Sequence, residues 1–138
     1  MKSKKNFEIK LEEHFLAGAP AIYIQSAEEA RVDQLLIRLQ DKLGLKRIHE
    51  WNLGHGWVDF DNKRPLSNLE SGKTELEHAL LALLDADLEQ SLILMKGARL
   101  ALEHNTLAIA RLKQLLNLIE RHHAGECSVI LVSEAVCI

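Results

Sequence analysis

The stretch Ala21-Ile-Tyr-Ile-Gln25, followed directly by Ser26-Ala-Glu-Glu29, decides the fold class of this chain. The first five residues are rich in Ile and Tyr and show no polar face at helical spacing, which predicts a buried strand. Ser26 and Glu29 then match a capping box, in which the serine oxygen accepts from an early helix N–H and the glutamate returns to the serine amide. A strand that passes directly into a helix is the unit of an α/β fold.

The same alternation of strands and helices continues on both sides of this stretch. Before it, residues 7–17 place Phe7, Leu11, His14 and Phe15 at helical spacing and are followed by Gly18 and Pro20, which predicts a leading helix with His14 partly buried. After it, the helix that starts at the capping box of Ser26 keeps leucines on one face and ends near Gly44. Further strands are predicted at residues 47–51, 91–95 and 128–133, and further helices at residues 75–84 and 106–123, the latter capped by Asn105.

This alternation predicts right-handed crossovers and a mostly parallel central sheet of four to five strands, covered by helices on both faces. The expected fold class is therefore α/β, a three-layer sandwich. Neither a linker nor a repeat divides the chain, so residues 1–138 are expected to form a single domain.

Composition limits the classes of protein to which the chain can belong. With 138 residues, 47% of them hydrophobic, the chain can bury a core without disulfides or metals. A net charge of −3 provides no overall positive field, so no nucleic-acid partner is expected. No segment reaches the roughly 20 apolar residues of a membrane span, and no signal core follows Met1. Cys127 and Cys137 are predicted to be buried, reduced thiols, which favours a cytoplasmic location without membrane association.

The segment Ser71-Gly-Lys-Thr74 is similar to the end of a phosphate-binding loop, but its surroundings do not complete the pattern. The full loop has a glycine five positions before Gly72, and that position is Ser67. The third predicted strand is followed by Lys96 and Gly97 rather than by a carboxylate that would hold Mg²⁺. The segment therefore favours a helix start, and no cofactor is expected in this chain.

Histidine spacing and nucleophile patterns favour neither a metal site nor a catalytic centre. A helical two-histidine zinc motif built on His49 requires a histidine at position 53, which is Leu53. No Gly-x-Ser-x-Gly elbow occurs, and nothing in the sequence around Cys127 favours a thiolate. We therefore predict no metal ligands and no catalytic residues.

The segment from Trp51 to Phe60 concentrates the residues that core packing explains least. It holds both tryptophans, two glycines, His55 and Asp59. Trp and His in a turn at the end of a sheet are typical of contact surfaces, so His55, Trp57 and Asp59 are the candidate partner surface. The structural alternative is a β-hairpin whose tryptophans cover the edge of the core.

The order of these elements resembles a known type of N-terminal domain. The residues that carry the resemblance are Ala21-Ile-Tyr-Ile with Ser-x-Glu-Glu, then Trp51 with the Gly-x-Val-Asp-like piece from Gly56 to Asp59, then Leu-Ile-Leu-Met-Lys96 and Val129-Ile-Leu-Val-Ser133. The chain resembles, over nearly its whole length, the N-terminal domain of AAA+ ATPases of the hypothetical-chloroplast-reading-frame type, found in bacteria and plastids.

The resemblance implies a fold, a role and a larger protein. In this family a degenerate, phosphate-loop-like α/β domain precedes a true AAA+ module, which binds ATP and Mg²⁺ and can assemble into a ring. This chain would then be the N-terminal fragment of such a protein, a non-catalytic accessory domain that serves assembly or recognises a protein partner, a substrate or its own ATPase module. The family often has Lys-Asp after the third strand, whereas Gly97 follows Lys96 here, which further disfavours nucleotide binding. Phosphate-loop folds also imply that the second, third, fourth and first parallel strands lie side by side in that order.

Two other functions stay open at this point. The domain could be a small nucleotide-responsive regulatory domain in which residues 71–74 contact a phosphate despite the incomplete motif. It could also be a standalone α/β interaction protein.

Overall fold

Strands and helices alternate along the part of the chain that the computed structural model describes, which is residues 2–26, 29–66 and 76–133. The strands are β1 Ala21–Gln25, β2 Arg47–Asn52, β3 Gly56–Val58, β4 Ser91–Lys96 and β5 Cys127–Ser133. The helices are α1 Lys2–Leu16, α2 Glu29–Leu43, α3 Leu76–Leu84, α4 Ala98–Leu102 and α5 Thr106–His122. Among the described helices, none combines the length and the apolar character needed to cross a bilayer.

The strands form one five-stranded sheet in the order β1-β5-β4-β2-β3. β1, β5, β4 and β2 are parallel, and only β3 runs antiparallel, against β2. The predicted order of the parallel strands is therefore confirmed. β4 lies between β5 and β2, and all six of its residues are buried, as expected for an apolar run in the middle of a sheet.

Helices cover both faces of the sheet and divide the core into two clusters. α3 and α5 pack on one face around Trp51, Ile93 and Val129, and α1 and α2 pack on the other around Leu94 and Ile130. The three-layer α/β sandwich is thus confirmed. The face that each crossover uses follows from the direction in which it moves the chain, because the crossovers are right-handed. The crossovers from β2 to β4 and from β4 to β5 move towards β1 and use the α3/α5 face, whereas the crossover from β1 to β2 moves the other way and uses the opposite face.

One row of side chains on the α3/α5 face crosses the whole sheet. Trp57, Trp51, Met95, Leu131 and Tyr23 are successive register partners from β3 to β1. Trp51 and Met95, in the middle of the row, are buried, whereas Tyr23 at the β1 end is 54% exposed. The helix layer on this face therefore stops before it covers β1.

The local predictions are mostly confirmed, with identifiable exceptions. The Asn105 side chain caps α5 by accepting a hydrogen bond from Ala108 N at 3.1 Å. Leu11 and Phe15 of α1 are buried as its periodicity predicts, but His14 is exposed. The short helix α4 was not predicted, because five residues are too few to display a helical period. The Ser26 amide, which the capping box assigns to Glu29, donates instead to Ser133 O at 2.9 Å, so that half of the predicted box is wrong. Residues 71–74 and Cys137 lie outside the described residues.

Candidate functional site

The carboxyl ends of the parallel strands lie together at one end of the sheet, and a cleft of about 650 Å³ opens there. We call it the strand-end cleft. Open α/β sheets hold their ligands at the carboxyl ends of their strands, because loops from several strands converge there. Its walls come from the β2–β3 turn, from the segment that leads from β4 into α4, and from the ends of β1 and β5.

A close backbone approach fixes one wall of the cleft. Gly97 adopts a φ of +78°, and a Cβ placed on it would lie 3.1 Å from the Cβ of Leu53. Leu53 N also donates a hydrogen bond to Lys96 O at 3.2 Å, and His55 N donates to Asn52 Oδ1 at 2.8 Å. Glycine at position 97 therefore allows the β2–β3 turn to sit directly on the start of α4.

Below the cleft, four charged side chains form an ion-pair network that we call the charge cluster. Lys96 Nζ at the end of β4 lies 3.0 Å from Asp33 Oδ1 and 3.5 Å from Glu50 Oε2. Lys63 Nζ lies 2.8 Å from Asp33 Oδ2 and 2.5 Å from Glu50 Oε1. Each lysine thus contacts both carboxylates, and the cluster carries no net charge.

Burial makes this neutrality necessary. Glu50 is 2% exposed and Lys96 is 5% exposed, so neither charge is stabilised by bulk water. Burial alone would lower the pKa of Lys63, but its hydrogen bonds to Asp33 and Glu50 outweigh burial and raise that pKa. Lys63 also stands 4.0 Å from the centroid of the Phe60 ring, which adds a cation–π contact. The cluster therefore joins α2, β2, the loop after β3 and β4 at one point.

The structure separates the three residues of the predicted partner surface. His55 is exposed in the β2–β3 turn and lines the strand-end cleft. Trp57 and Asp59 instead line a different cavity of about 220 Å³ at the β3 edge. Asp59 Oδ1 accepts hydrogen bonds from the amides of Asp61 at 2.9 Å and Asn62 at 3.1 Å, so it shapes the loop that follows β3.

The structural alternative predicted for this segment, a β-hairpin, is confirmed. Trp51 on β2 pairs with Trp57 on β3, and Trp51 is buried in the core. Trp57 is half-buried, and its ring meets that of His49 edge to face, with centroids 6.4 Å apart. Trp57 therefore belongs mainly to the packing of the sheet edge.

Two groups of residues at this site were not found from the sequence. The charge cluster was missed, although Glu50 at an inward strand position and Lys96 after an apolar strand are signals of a buried pair. Arg99 and Leu100 of α4, and Glu103 directly after it, were missed because the helix itself was not predicted. Cys127 is buried as expected, and burial raises its thiol pKa to about 11, so the thiol is protonated at neutral pH.

Replacing one carboxylate of the charge cluster should strongly destabilise the fold. Glu50→Gln takes one carboxylate from the buried Lys96 and from the partly exposed Lys63, and we expect the free energy of unfolding to fall by about 3 kcal/mol. The matched control is Glu89→Gln, which removes an exposed pair with Lys46 at 3.6 Å and should change it by less than about 0.5 kcal/mol. Urea unfolding of both variants measures the two values, and equal effects would contradict a buried, mutually dependent cluster.

His49 should make the domain less stable in mild acid. Burial, aided by the charge of Arg47, lowers the pKa of His49, so the native state keeps the ring neutral at a pH where the unfolded chain binds a proton. This stabilising contribution is complete above the unfolded pKa of about 6.5 and is lost as pH falls towards the native pKa. We expect His49→Gln to reduce the loss of stability between about pH 7.5 and 5.5. Urea unfolding at both pH values tests this, and an unchanged pH dependence would refute the assignment.

Comparison with known proteins identifies the family. Neither the curated proteins nor the solved structures contain a match to this chain. The family model of the N-terminal domain of SpoVK-like AAA ATPases matches residues 7–138. The match covers almost the whole chain and agrees with the resemblance to N-terminal domains of AAA+ ATPases. With its parallel sheet and strand-end cleft, this chain belongs to the SpoVK-like AAA ATPase N-terminal domain family.

Proposed function

We propose that this chain is a non-catalytic accessory domain that precedes the ATPase module of a longer AAA protein and presents a surface to a protein partner or to that module. ATP and Mg²⁺ would bind in the ATPase module, which can form a ring, and the protein would act in the cytoplasm. The observation that carries the proposal is the placement of Lys96 at the end of β4, inside the charge cluster.

Lys96 supports a non-catalytic role because of the position it occupies. In a phosphate-loop enzyme, a carboxylate at the end of a core strand helps to hold Mg²⁺. At the end of β4 this chain has a buried cation, already neutralised by Asp33 and Glu50. A metal ion at this point would be repelled by the positive charge of Lys96. A metal ion that took Asp33 or Glu50 as a ligand would also break the ion pairs of the charge cluster.

The strand-end cleft supports a binding role because apolar side chains stand exposed at its walls. Leu100 on α4 is 64% exposed and Leu53 in the β2–β3 turn is 42% exposed, and both line the cleft. His55, Arg99 and Glu103 line the same cleft and supply polar contacts. Protein interfaces commonly combine such apolar anchors with polar side chains around them. Of the three residues predicted from sequence, His55 belongs to this proposed surface, and Trp57 and Asp59 support the hairpin that carries it.

Binding through the cleft should depend on Leu100. We expect the chain to associate with the ATPase module encoded after Ile138, produced separately, and Leu100→Asp to weaken this association about tenfold or more, because it places a charge at an apolar contact. Leu81→Asp is the matched control, since Leu81 is 45% exposed on α3 and does not line the cleft. Titration calorimetry measures both variants. Equal losses in the two variants, no association at all, or a gene that encodes no such module would refute the proposal.

A nucleotide titration separates this role from that of a nucleotide-responsive domain. We expect MgATP added to the 138-residue chain to give no saturable heat, because the end of β4 carries Lys96 in place of a metal-binding carboxylate. Saturable binding that is lost in Arg99→Ala would place the nucleotide in the cleft and would overturn the accessory role. Saturable binding that Arg99→Ala leaves unchanged would favour residues 71–74 and would overturn it equally.

A further inference from the structure

The two edge strands of the sheet, β3 and β1, differ in whether another segment of the chain pairs with their outer side. At the β3 edge, the loop after β3 folds back, so that Leu66 N donates to Trp57 O at 3.1 Å and Asp59 N donates to Arg64 O at 2.8 Å. Val58 also forms a bridge with Pro65. Trp57 O and Asp59 N, on the outer side of the β3 edge, are therefore paired within the chain.

The β1 edge is open in the described part of the chain. Val129 N donates to Pro20 O and Ser26 N donates to Ser133 O, both at 2.9 Å, which fixes the phase of the β1–β5 ladder. Since successive residues of a strand alternate the side to which their backbone groups point, the N–H and C=O groups of Ala21, Tyr23 and Gln25 point away from β5. No other described segment pairs with them.

Nothing within β1 protects this edge against pairing. The strand Ala21–Gln25 contains no charged residue and no proline, and it pairs with β5 in regular register. Natural sheets usually block an exposed edge with charges, prolines, bulges or a covering segment. An unblocked edge of Ile and Tyr residues is therefore suited to receive another strand.

The face of the sheet that is uncovered next to β1 indicates where the strand that pairs with this edge comes from. One face of β1 is closed, since Ile24 is buried against α1 and α2. On the α3/α5 face, Tyr23 is 54% exposed and borders a cavity of about 310 Å³, lined also by Leu102 and Leu131. Parallel sheets normally have both faces covered by helices.

The handedness of the crossovers connects the open edge with the open face. The connections β2 to β4 and β4 to β5 both carry the chain towards β1 across the α3/α5 face. A further right-handed crossover from β5 to the free edge of β1 continues in that direction and must cross the same face. Its helix would lie over Tyr23, Leu102 and Leu131, and its strand would pair with Ala21, Tyr23 and Gln25.

We propose that the segment following β5 in the longer protein completes this domain with a crossover helix over Tyr23 and a sixth strand, parallel to β1 and paired with its outer edge. A crossover including its helix needs at least about 10 to 12 residues, and β5 ends at Ser133, so the sixth strand lies beyond Ile138. This inference rests on the proposed function for the existence of the longer protein, but not on the partner that the protein binds.

Amide hydrogen exchange of the 138-residue chain and of the full-length protein tests this placement. We expect the amides of Ala21, Tyr23 and Gln25 to exchange about tenfold or more slowly in the full-length protein, because the added strand accepts their hydrogen bonds. The peptide that contains Leu36 is the internal control, since Leu36 is buried in α2 on the opposite face of the sheet, and this peptide should exchange equally in both proteins.

A pair of variants tests the helix. In the 138-residue chain, Tyr23→Lys removes only the side-chain hydrogen bond between Tyr23 Oη and Ser133 Oγ, whereas in the full-length protein it also places a charge beneath the added helix. It should therefore speed exchange at β1 more in the full-length protein than in the 138-residue chain. Ile37→Lys is the matched control, because Ile37 is 42% exposed on α2, which packs on the opposite face, and it should change neither protein.

The possible failures can be told apart. Equal exchange at β1 in both wild-type proteins would overturn the added strand and leave the accessory role standing. Protection of β1 that increases with the concentration of the 138-residue chain would assign the edge to a second copy, and would also overturn the inference. Failure of Leu100→Asp to affect binding to the ATPase module would refute the proposed function alone.

Discussion

The structure depends on the neutralisation of one positive charge. Lys96 ends the central strand β4, where water cannot reach it, and so its ammonium group must be met by carboxylates from elsewhere in the chain. Asp33 from α2 and Glu50 from β2 meet it, and Lys63 balances the second negative charge. Because these groups come from four separate segments, the cluster fixes how α2 and the loop after β3 sit against the end of the sheet.

The architecture could be predicted from the sequence because it is determined by local patterns. Ser91–Lys96 is an apolar run without helical polarity, and its position as the fully buried central strand follows directly. Asn105 stands just before an amphipathic segment and caps it. The order of the parallel strands follows from the resemblance to phosphate-loop folds, and the sheet has that order.

The site could be predicted only in part, because its residues meet through the tertiary fold. Nothing near Asp33 in the sequence indicates that it pairs with Lys96, since that contact requires α2 to cross the sheet. α4 contributes Arg99 and Leu100 to the cleft, yet it is too short to show a period. The spacing of His14 matches an apolar face and predicts partial burial, but the last turn of α1 leaves His14 exposed. His55 was found because turn residues of unusual composition can be recognised without knowing their neighbours.

Membership of the SpoVK-like AAA ATPase N-terminal domain family does not by itself specify the residues at the strand ends. In this chain the strand ends carry the charge cluster and two exposed leucines, Leu53 and Leu100. The parallel sheet is kept, because its stability comes from apolar packing on both faces rather than from any residue at the strand ends.

The row of side chains that crosses the sheet gives the protein three fluorescent side chains in fixed positions. Both tryptophans of the chain, Trp51 and Trp57, lie opposite each other at the hairpin, and its single tyrosine, Tyr23, lies on the far edge strand. Three strand spacings separate Tyr23 from Trp51, which is about 14 Å. Tyrosine fluorescence and its transfer to tryptophan therefore follow the integrity of the sheet from one side to the other, while tryptophan emission alone follows the hairpin and the core beneath it.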